Sequence, residues 1–465
     1  MSAMTVPRVP ATHQPRNQQV KLRTAVPGEK SRALRAREDQ HIAPGLQSYA
    51  VTSGVVVDHA RGSTVTDVDG NVLLDFVGGI GVNAFGHSHP VIVSALQTQM
   101  ARASVGSFTS EARVELVERL ASHEPAPGVH RVQLYSSGSE AVESALRLAK
   151  SHTGKWEMVS FWGGFHGKTM GALSLMGSTF KEHLGPFVPG SHIVPYADCY
   201  RCPFGLTYPS CGVACAEVAR KQLKTQSGGA VAAIIIEPMQ GTAGNIIPPD
   251  SFLSAVRSIA DEHEALLIVD EMITGLGRTG RYWGLDHAGV RPDIVTLGKA
   301  FGGGYPLSGV LTTDAIARAT PWASASGSSS SYGGNPLAAA AGAAALRVLD
   351  DEQLVQSAHV VGEGMLRELQ PFVDDYPFVG EVRGRGLLLA IELVRSKRTR
   401  EPISAKAARR VYDACVARGL LAMTYAPRIR LQPALTIDAA TASNGIAILR
   451  EVFDLAKRDH WWDAS

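Results

Sequence analysis

Three charged residues stand at matching points of this chain. Asp270 directly follows the apolar run Ala265–Val269, Glu237 directly follows VAAIII, and Lys299 follows IVTL after a single glycine. Each run is too short for a helix and too uniformly apolar for a surface strand, so all three read as strands buried on both faces of a parallel sheet. In such sheets ligands bind beyond the carboxyl ends of the strands. Two acids and a lysine delivered to those ends describe a site. A lysine amine can condense with an aldehyde, and an acid beside a pyridine nitrogen favours its protonated form. Both demands are those of pyridoxal phosphate (PLP), whose protonated ring takes up the electrons of a substrate carbanion. Gly302, Gly303 and Gly304 let backbone approach such a ring without a side-chain clash. For Lys299 alone, a solvated surface lysine is the competing explanation.

A phosphate needs its own place. RVQLY at 131–135 reads as a strand, followed by Ser136-Ser137-Gly138-Ser139 and then EAVESALRLAK. Val142, Ala145, Leu146 and Ala149 fall on one helical face. A small-residue turn entering a helix offers free backbone N–H groups and the positive end of the helix dipole. Ser137 with Glu140 three residues on is equally a capping box, and the two roles are compatible.

From about residue 54 to 455 the sequence resembles the class III, or omega-type, PLP-dependent aminotransferases of fold type I. The resemblance rests on nine fragments in family order, among them YSSGSEAVESALRLAK, GGFHGKTMGALSLMG, IIIEPMQG, LLIVDEMITGLGRTG, PDIVTLGKAFGGGYPLSGV, SSYGGNPLAAAAG and RIRLQPALTI. It implies an α/β fold: a large domain with a mostly parallel sheet, plus a smaller α/β domain built from both ends of the chain. It implies that Lys299 bonds the cofactor and shuttles the proton, and that Asp270 partners the pyridinium nitrogen. Gly138 and Ser139 then cradle the phosphate, Phe165 stacks on the ring, and Glu237 and Ile273 lie beside the cofactor. Ser331 stands where many members have a threonine that reaches the phosphate of a neighbouring subunit, which implies at least a homodimer. The implied reaction moves an amino group from an amine to a keto acid or another carbonyl acceptor. Relatives that racemise, epimerise or decarboxylate, and elimination of a neighbouring hydroxyl, keep an alternative outcome on the same cofactor open.

The departures from the family bear on substrate. Where GABA and acetylornithine enzymes have an arginine after FHG, this chain has Lys168, which cannot form the planar two-bond fork to a carboxylate. Thr242 replaces the glutamate of EPVQGEGG, and Ile273 replaces a glutamine. Arg430, in RIRLQP, is kept. Lys168 and Arg430 are therefore the candidate substrate contacts. The expected amine is not GABA or acetylornithine but a diamine, amino sugar or other omega-amine, in an open, wet cleft where solvent reaches Arg430.

Composition sets outer limits. With 45 basic against 43 acidic residues, net +2, the chain lacks the charge of a nucleic-acid binder. No apolar run nears the roughly 20 residues of a membrane span. Residues 1–40 are polar, basic and proline-dotted, read as a flexible arm without a secretory core, so the expected compartment is cytoplasmic. Residues 41–100 and 346–465 are assigned to the small domain and 101–345 to the large one. A helix near 353–369, a strand at 386–393, a helix over 439–457 and a loop at 324–331 before Asn335-Pro336 complete the outline.

Cys199, Cys202, Cys211 and Cys215 form C-x2-C-x8-C-x3-C. That spacing fits zinc or an iron–sulfur cluster, while its uneven second half fits plain loop thiols or a disulfide, and no metal is assigned to the catalytic site. Cys415 reads as a buried helix residue. His87 and His89 read as turn residues, His166 as a neighbour of the cofactor without a catalytic role, and Glu271 as support for Asp270.

Overall fold

The structure is a computed structural model describing residues 19–463. Seven strands build the main sheet: β1 Arg131–Tyr135, β2 Glu157–Phe161, β3 Ser191–Val194, β4 Val231–Ile236, β5 Leu266–Asp270, β6 Ile294–Leu297 and β7 Ser308–Thr312. Their spatial order is β1-β7-β6-β5-β4-β2-β3. β6, β5, β4, β2 and β3 run parallel, and β7 is antiparallel to both β6 and β1. β4 is buried along its whole length, which is why its sequence shows no polar alternation.

Alternate residues of these strands feed opposite layers. Ala233, Ile235 and Ile268 pack with Ala141, Val142, Ala145 and Ala149 of the helix Gly138–Thr153. Ile234, Ile236, Leu267 and Val269 belong to a second layer with Phe252 and Val256 of the helix Asp250–Glu262. The helix Pro336–Asp351, capped by the Asn335 side chain, is so rich in alanine that Pro90–Met100 and Glu111–Ala121 pack closely on it.

A second body is antiparallel, with Val379–Arg385, Leu388–Ser396, Arg428–Leu431 and Met423–Tyr425 side by side in that order. The strand expected at 386–393 thus starts two residues later and has a partner, Val379–Arg385, that was not foreseen. Leu420-Leu421 pairs in parallel with Leu74-Asp75, so the two ends of the chain share a sheet. Helices Leu354–Leu369 and Ala439–Arg458 fall where the sequence places them. Among the described residues no helix is long and apolar enough to cross a membrane.

One expectation is corrected. Residues 19–40, read as part of a flexible arm, are tied down, while residues 1–18 of that arm lie outside the described residues. Lys21 bridges Val72, and the Asn71 side chain accepts the N–H groups of Arg23 and Thr24 at 2.7 and 2.9 Å. The helix Glu29–Glu38 takes its cap from Asp69, which accepts Lys30 N at 2.8 Å and Ser31 N at 2.9 Å. A Cβ at Gly28 would stand 2.2 Å from the Asp69 carboxyl carbon, so glycine there is what lets the cap approach. This cap comes from far along the chain, where local pattern does not register it.

Candidate active site

The strand ends meet as the sequence requires. Asp270 ends β5, Glu237 follows β4, and Lys299 follows β6 after Gly298. Asp270 and Glu237 are buried, and Lys299 is held at a left-handed φ of 45°, a strained backbone of the kind that clusters at functional sites. Asp270 Oδ2 accepts a hydrogen bond from His166 Nδ1 at 2.7 Å, and Oδ1 accepts Met272 N at 3.1 Å. Burial disfavours charge on the His166 ring, but Asp270 outweighs it and holds the imidazole above its ordinary value. Burial pushes the Lys299 amine down; Asp270 and Glu237 pull it up, Arg430 adds to the fall, and the net direction is down. A lysine depressed in this way keeps more of its neutral, nucleophilic form.

The turn at 136–139 is built for an anion. Ser137 Oγ accepts Glu140 N at 3.3 Å, and Glu140 Oε2 reaches back to Ser136 N at 2.9 Å rather than to Ser137, so the expected cap is offset by one residue. Ser136 Oγ is buried without a partner, beside helix N–H groups that have none within the helix. An orphaned hydroxyl at a helix N-terminus fits a phosphate. Gly138 lies against the loop after Asp270, where a Cβ would sit 3.1 Å from Met272 Sδ. Ser139 Oγ accepts Lys168 N at 3.3 Å, and a Cβ at Gly167 would stand 2.3 Å from that same oxygen. The anion turn and the FHGK loop are therefore pressed together.

Glu237 links the other wall. Its Oε1 accepts Phe165 N at 2.9 Å and its Oε2 accepts Gly241 N at 3.0 Å. Gly241 O in turn accepts Arg430 Nη1 at 2.7 Å. A Cβ at Gly241 would stand 2.8 Å from Ile273 Cδ1, which brings Ile273 to the same point. Phe165 packs edge-on against Phe180, and the Lys168 ammonium lies 5.2 Å over the Phe180 ring, exposed. Ser331 is exposed on its loop, which is anchored to the end of β1 by Tyr135 Oη donating to Ser328 O at 2.8 Å.

Arg430 departs from expectation. It is 2% exposed, not washed by solvent. Its charge is met by the Gly241 carbonyl, by Met423 Sδ against Nη2 and by the Tyr425 ring, 5.0 Å away, and its Nε has no partner. Burial brings the guanidinium down to about 10.

Other residues take roles that the sequence did not assign. His166 is the buried partner of Asp270; its only signal was its place after Phe165. Glu271 braces the turn at Gly284–His287 rather than Asp270, accepting Gly284 N at 3.0 Å and Leu285 N at 2.8 Å, and burial raises it to about 7. Buried Glu392 gathers Arg201 at 2.6 Å and Arg383 and Arg428 at 2.9 Å each. His87 bonds Asp75 at 2.8 Å, twelve residues away, and buried His89 bonds Glu352 at 3.1 Å, so neither contact is local to the turn.

A mostly parallel sheet that delivers a lysine and an acid beside an anion turn defines a PLP enzyme of fold type I. The sequence model of the class III aminotransferases matches residues 47–453, and the chain belongs to that family. It is similar to the 5-aminovalerate aminotransferase of Pseudomonas aeruginosa, 35% identical over 86% of this chain and 93% of that one. The putrescine aminotransferase of Pectobacterium atrosepticum is 35% identical over 90% and 87%. A PLP-bound amine transaminase from an uncultivated Pseudomonas species superposes with a TM-score of 0.84 at 32% identity, covering 90% of this chain and 98% of its own. The protein is a PLP-dependent aminotransferase, taking an amine donor and a keto-acid or other carbonyl acceptor.

Proposed function

We propose that the enzyme transfers the amino group of a diamine or other omega-amine to a keto acid whose carboxylate docks on Arg430. The observation that carries this is a buried guanidinium with an unpartnered Nε and, among the described residues, no carboxylate bonded to it. A buried, under-satisfied cation is costly unless a ligand completes it. Thr242, next to Gly241, and Ile273 supply no acid to occupy it. Lys168 lies over Phe180, so the amine's side of the cleft lacks the planar fork that would select a second carboxylate.

When bound, PLP supplies an aldehyde to capture the amine and a ring to accept the electron pair left on its carbon. In this reading Gly138 and Ser139 N–H groups, with Ser136 Oγ, hold the phosphate, and Phe165 covers the ring face. Asp270 pairs with the ring nitrogen, and His166 fixes the Asp270 carboxylate from behind. Lys299 Nζ holds the cofactor between turnovers; once released, it takes the proton from the substrate carbon and returns it one position along. Glu237 positions Phe165 and Gly241 through their backbone amides. Ser331 of a second subunit completes the phosphate site, so the working unit is a two-fold dimer.

A spectroscopic screen of the purified enzyme against diamines, omega-amino acids and amino sugars tests the substrate class. Loss of the cofactor's visible band is expected first with diamines, and amino transfer must require both donor and keto acid. Comparable turnover of GABA with 2-oxoglutarate would refute the assignment, and conversion of a single substrate without acceptor would point to racemisation.

A further inference from the structure

One motif takes no part in this chemistry. Cys199, Cys202, Cys211 and Cys215 lie in a segment folded back on itself so that all four line one cavity, walled by Phe204, Leu206, Tyr208 and Pro249. Cys202 O accepts Gly205 N at 3.1 Å and Cys211 N donates to Thr207 O at 3.0 Å, which keeps the intervening loop in tight turns. Cys215 is the second residue of the helix Ala214–Gln226, which places it at the helix N-terminus.

We propose that these four cysteines bind one structural zinc ion as thiolates. Both pair spacings, two and three intervening residues, fall in the range of about two to four typical of zinc-binding pairs. The four thiols are free, and among the described residues no three His, Cys, Asp or Glu side chains already stand in a metal-holding arrangement. The ion itself would draw the sulfurs to about 2.3 Å. Zinc entry forms four Zn–S bonds and sends four thiol protons to solvent, with no electron transferred. Zinc is favoured over an iron–sulfur cluster because amino-group transfer needs no electron relay and none of the cavity's residues belongs to the catalytic cluster.

The position explains what such an ion would do. Arg201 lies between Cys199 and Cys202 and donates to Glu392 Oε1 at 2.6 Å. Glu392 also accepts from Arg428, two residues from Arg430 on one strand. A zinc knuckle would fix the loop that holds that strand.

The test uses full-length protein, freed of any tag, purified in reductant without chelator and analysed for metal by mass spectrometry. About one zinc per chain is expected, released in step with thiol titration by a mercurial. Cys415→Ser should keep the zinc, and a Cys199→Ser, Cys202→Ser double variant should lose at least about nine-tenths of it. Reduced metal-free protein given cobalt(II) should develop thiolate-to-metal charge-transfer absorption, a readout that needs no variant to fold. Wild-type protein that contains no zinc and takes up neither ion overturns the proposal. So does iron with acid-labile sulfide, or a pair of disulfides in place of the thiols.

Discussion

Replacing Arg430 by methionine separates its two roles. The substitution keeps an unbranched apolar stem and removes the charged head. In the folded protein burial brings the guanidinium down to about 10, which amounts to about 3 kcal/mol against keeping it charged there. Methionine relieves that cost. It also forfeits the charged hydrogen bond to Gly241 O, about 1.5–3 kcal/mol, the contact of Nη2 with Met423 Sδ, and the contact with the Tyr425 ring, about 1–2 kcal/mol. These terms nearly cancel, so the stability of Arg430→Met should stay within about 1–2 kcal/mol of wild type in denaturant titration. Activity should respond very differently. A desolvated carboxylate–guanidinium pair is worth about 2–5 kcal/mol, so kcat/KM for a keto-acid acceptor should fall between about 30-fold and several thousandfold. The half-reaction with a diamine should change less than about threefold, because that substrate brings no carboxylate. Refutation would be the opposite pattern: a large loss of stability with equal losses for both half-reactions, which would make Arg430 a structural residue.

Lys299→Ala should abolish turnover and leave no borohydride-reducible bond between protein and cofactor, and a surviving bond would move the anchor to another lysine. Ser331→Ala should weaken PLP retention on dialysis while the dimer persists in sedimentation, and a fully active monomer would contradict the shared phosphate site. His166→Asn should lower kcat and shift the cofactor's absorption–pH profile, since the ring proton it removes faces Asp270. Because the folded-state value of His166 is raised, its contribution to stability is complete below about pH 6.5 and fades as pH rises through the raised value. The asparagine variant should therefore lose stability relative to wild type at pH 5–6 and less so at pH 9, by thermal melts in matched buffers.

How legible the sequence was depended on where each residue's partners lie. β4 and β6 match the runs 231–236 and 294–297 residue for residue, because strands buried on both faces are nearly all apolar and their ends are abrupt; β1 matches 131–135 although only Leu134 and Tyr135 of it are buried. Lys299 and Asp270 stand out for the same reason, as charges at the ends of such runs. β7 is antiparallel within the sheet, a direction that SGVLT does not encode. The Glu29–Glu38 helix was hidden because its cap is Asp69. Glu392 was hidden too: it reads as one polar residue in an apolar strand, and its partner Arg201 is 191 positions away. Arg430 was found by type and missed by environment, since burial is set by the loop that packs over it.

That loop shows how substrate choice can depend on residues that never touch substrate. Residues 241–245 run along the seam between the main sheet and the antiparallel body. Gly241 O accepts Arg430, Gly244 O and Asn245 O accept Arg383 at 2.7 and 3.0 Å, and the Asn245 side chain donates to Leu389 O at 2.7 Å. Gln432 Nε2 closes the seam on Asn245 Oδ1 at 2.8 Å. Glu237 ties the near end of this loop to the Phe165 backbone. A chain of buried polar contacts therefore runs from the side chain that would cover the cofactor to the arginine that would hold the acceptor. Each link from Phe165 through Glu237 and Gly241 to Arg430 involves a backbone atom, so the side chains at 242 and 273 can change without breaking it. Such a frame keeps Arg430 in place while Thr242 and Ile273 redefine what arrives beside it, which is how a family with one cofactor chemistry can serve many amines.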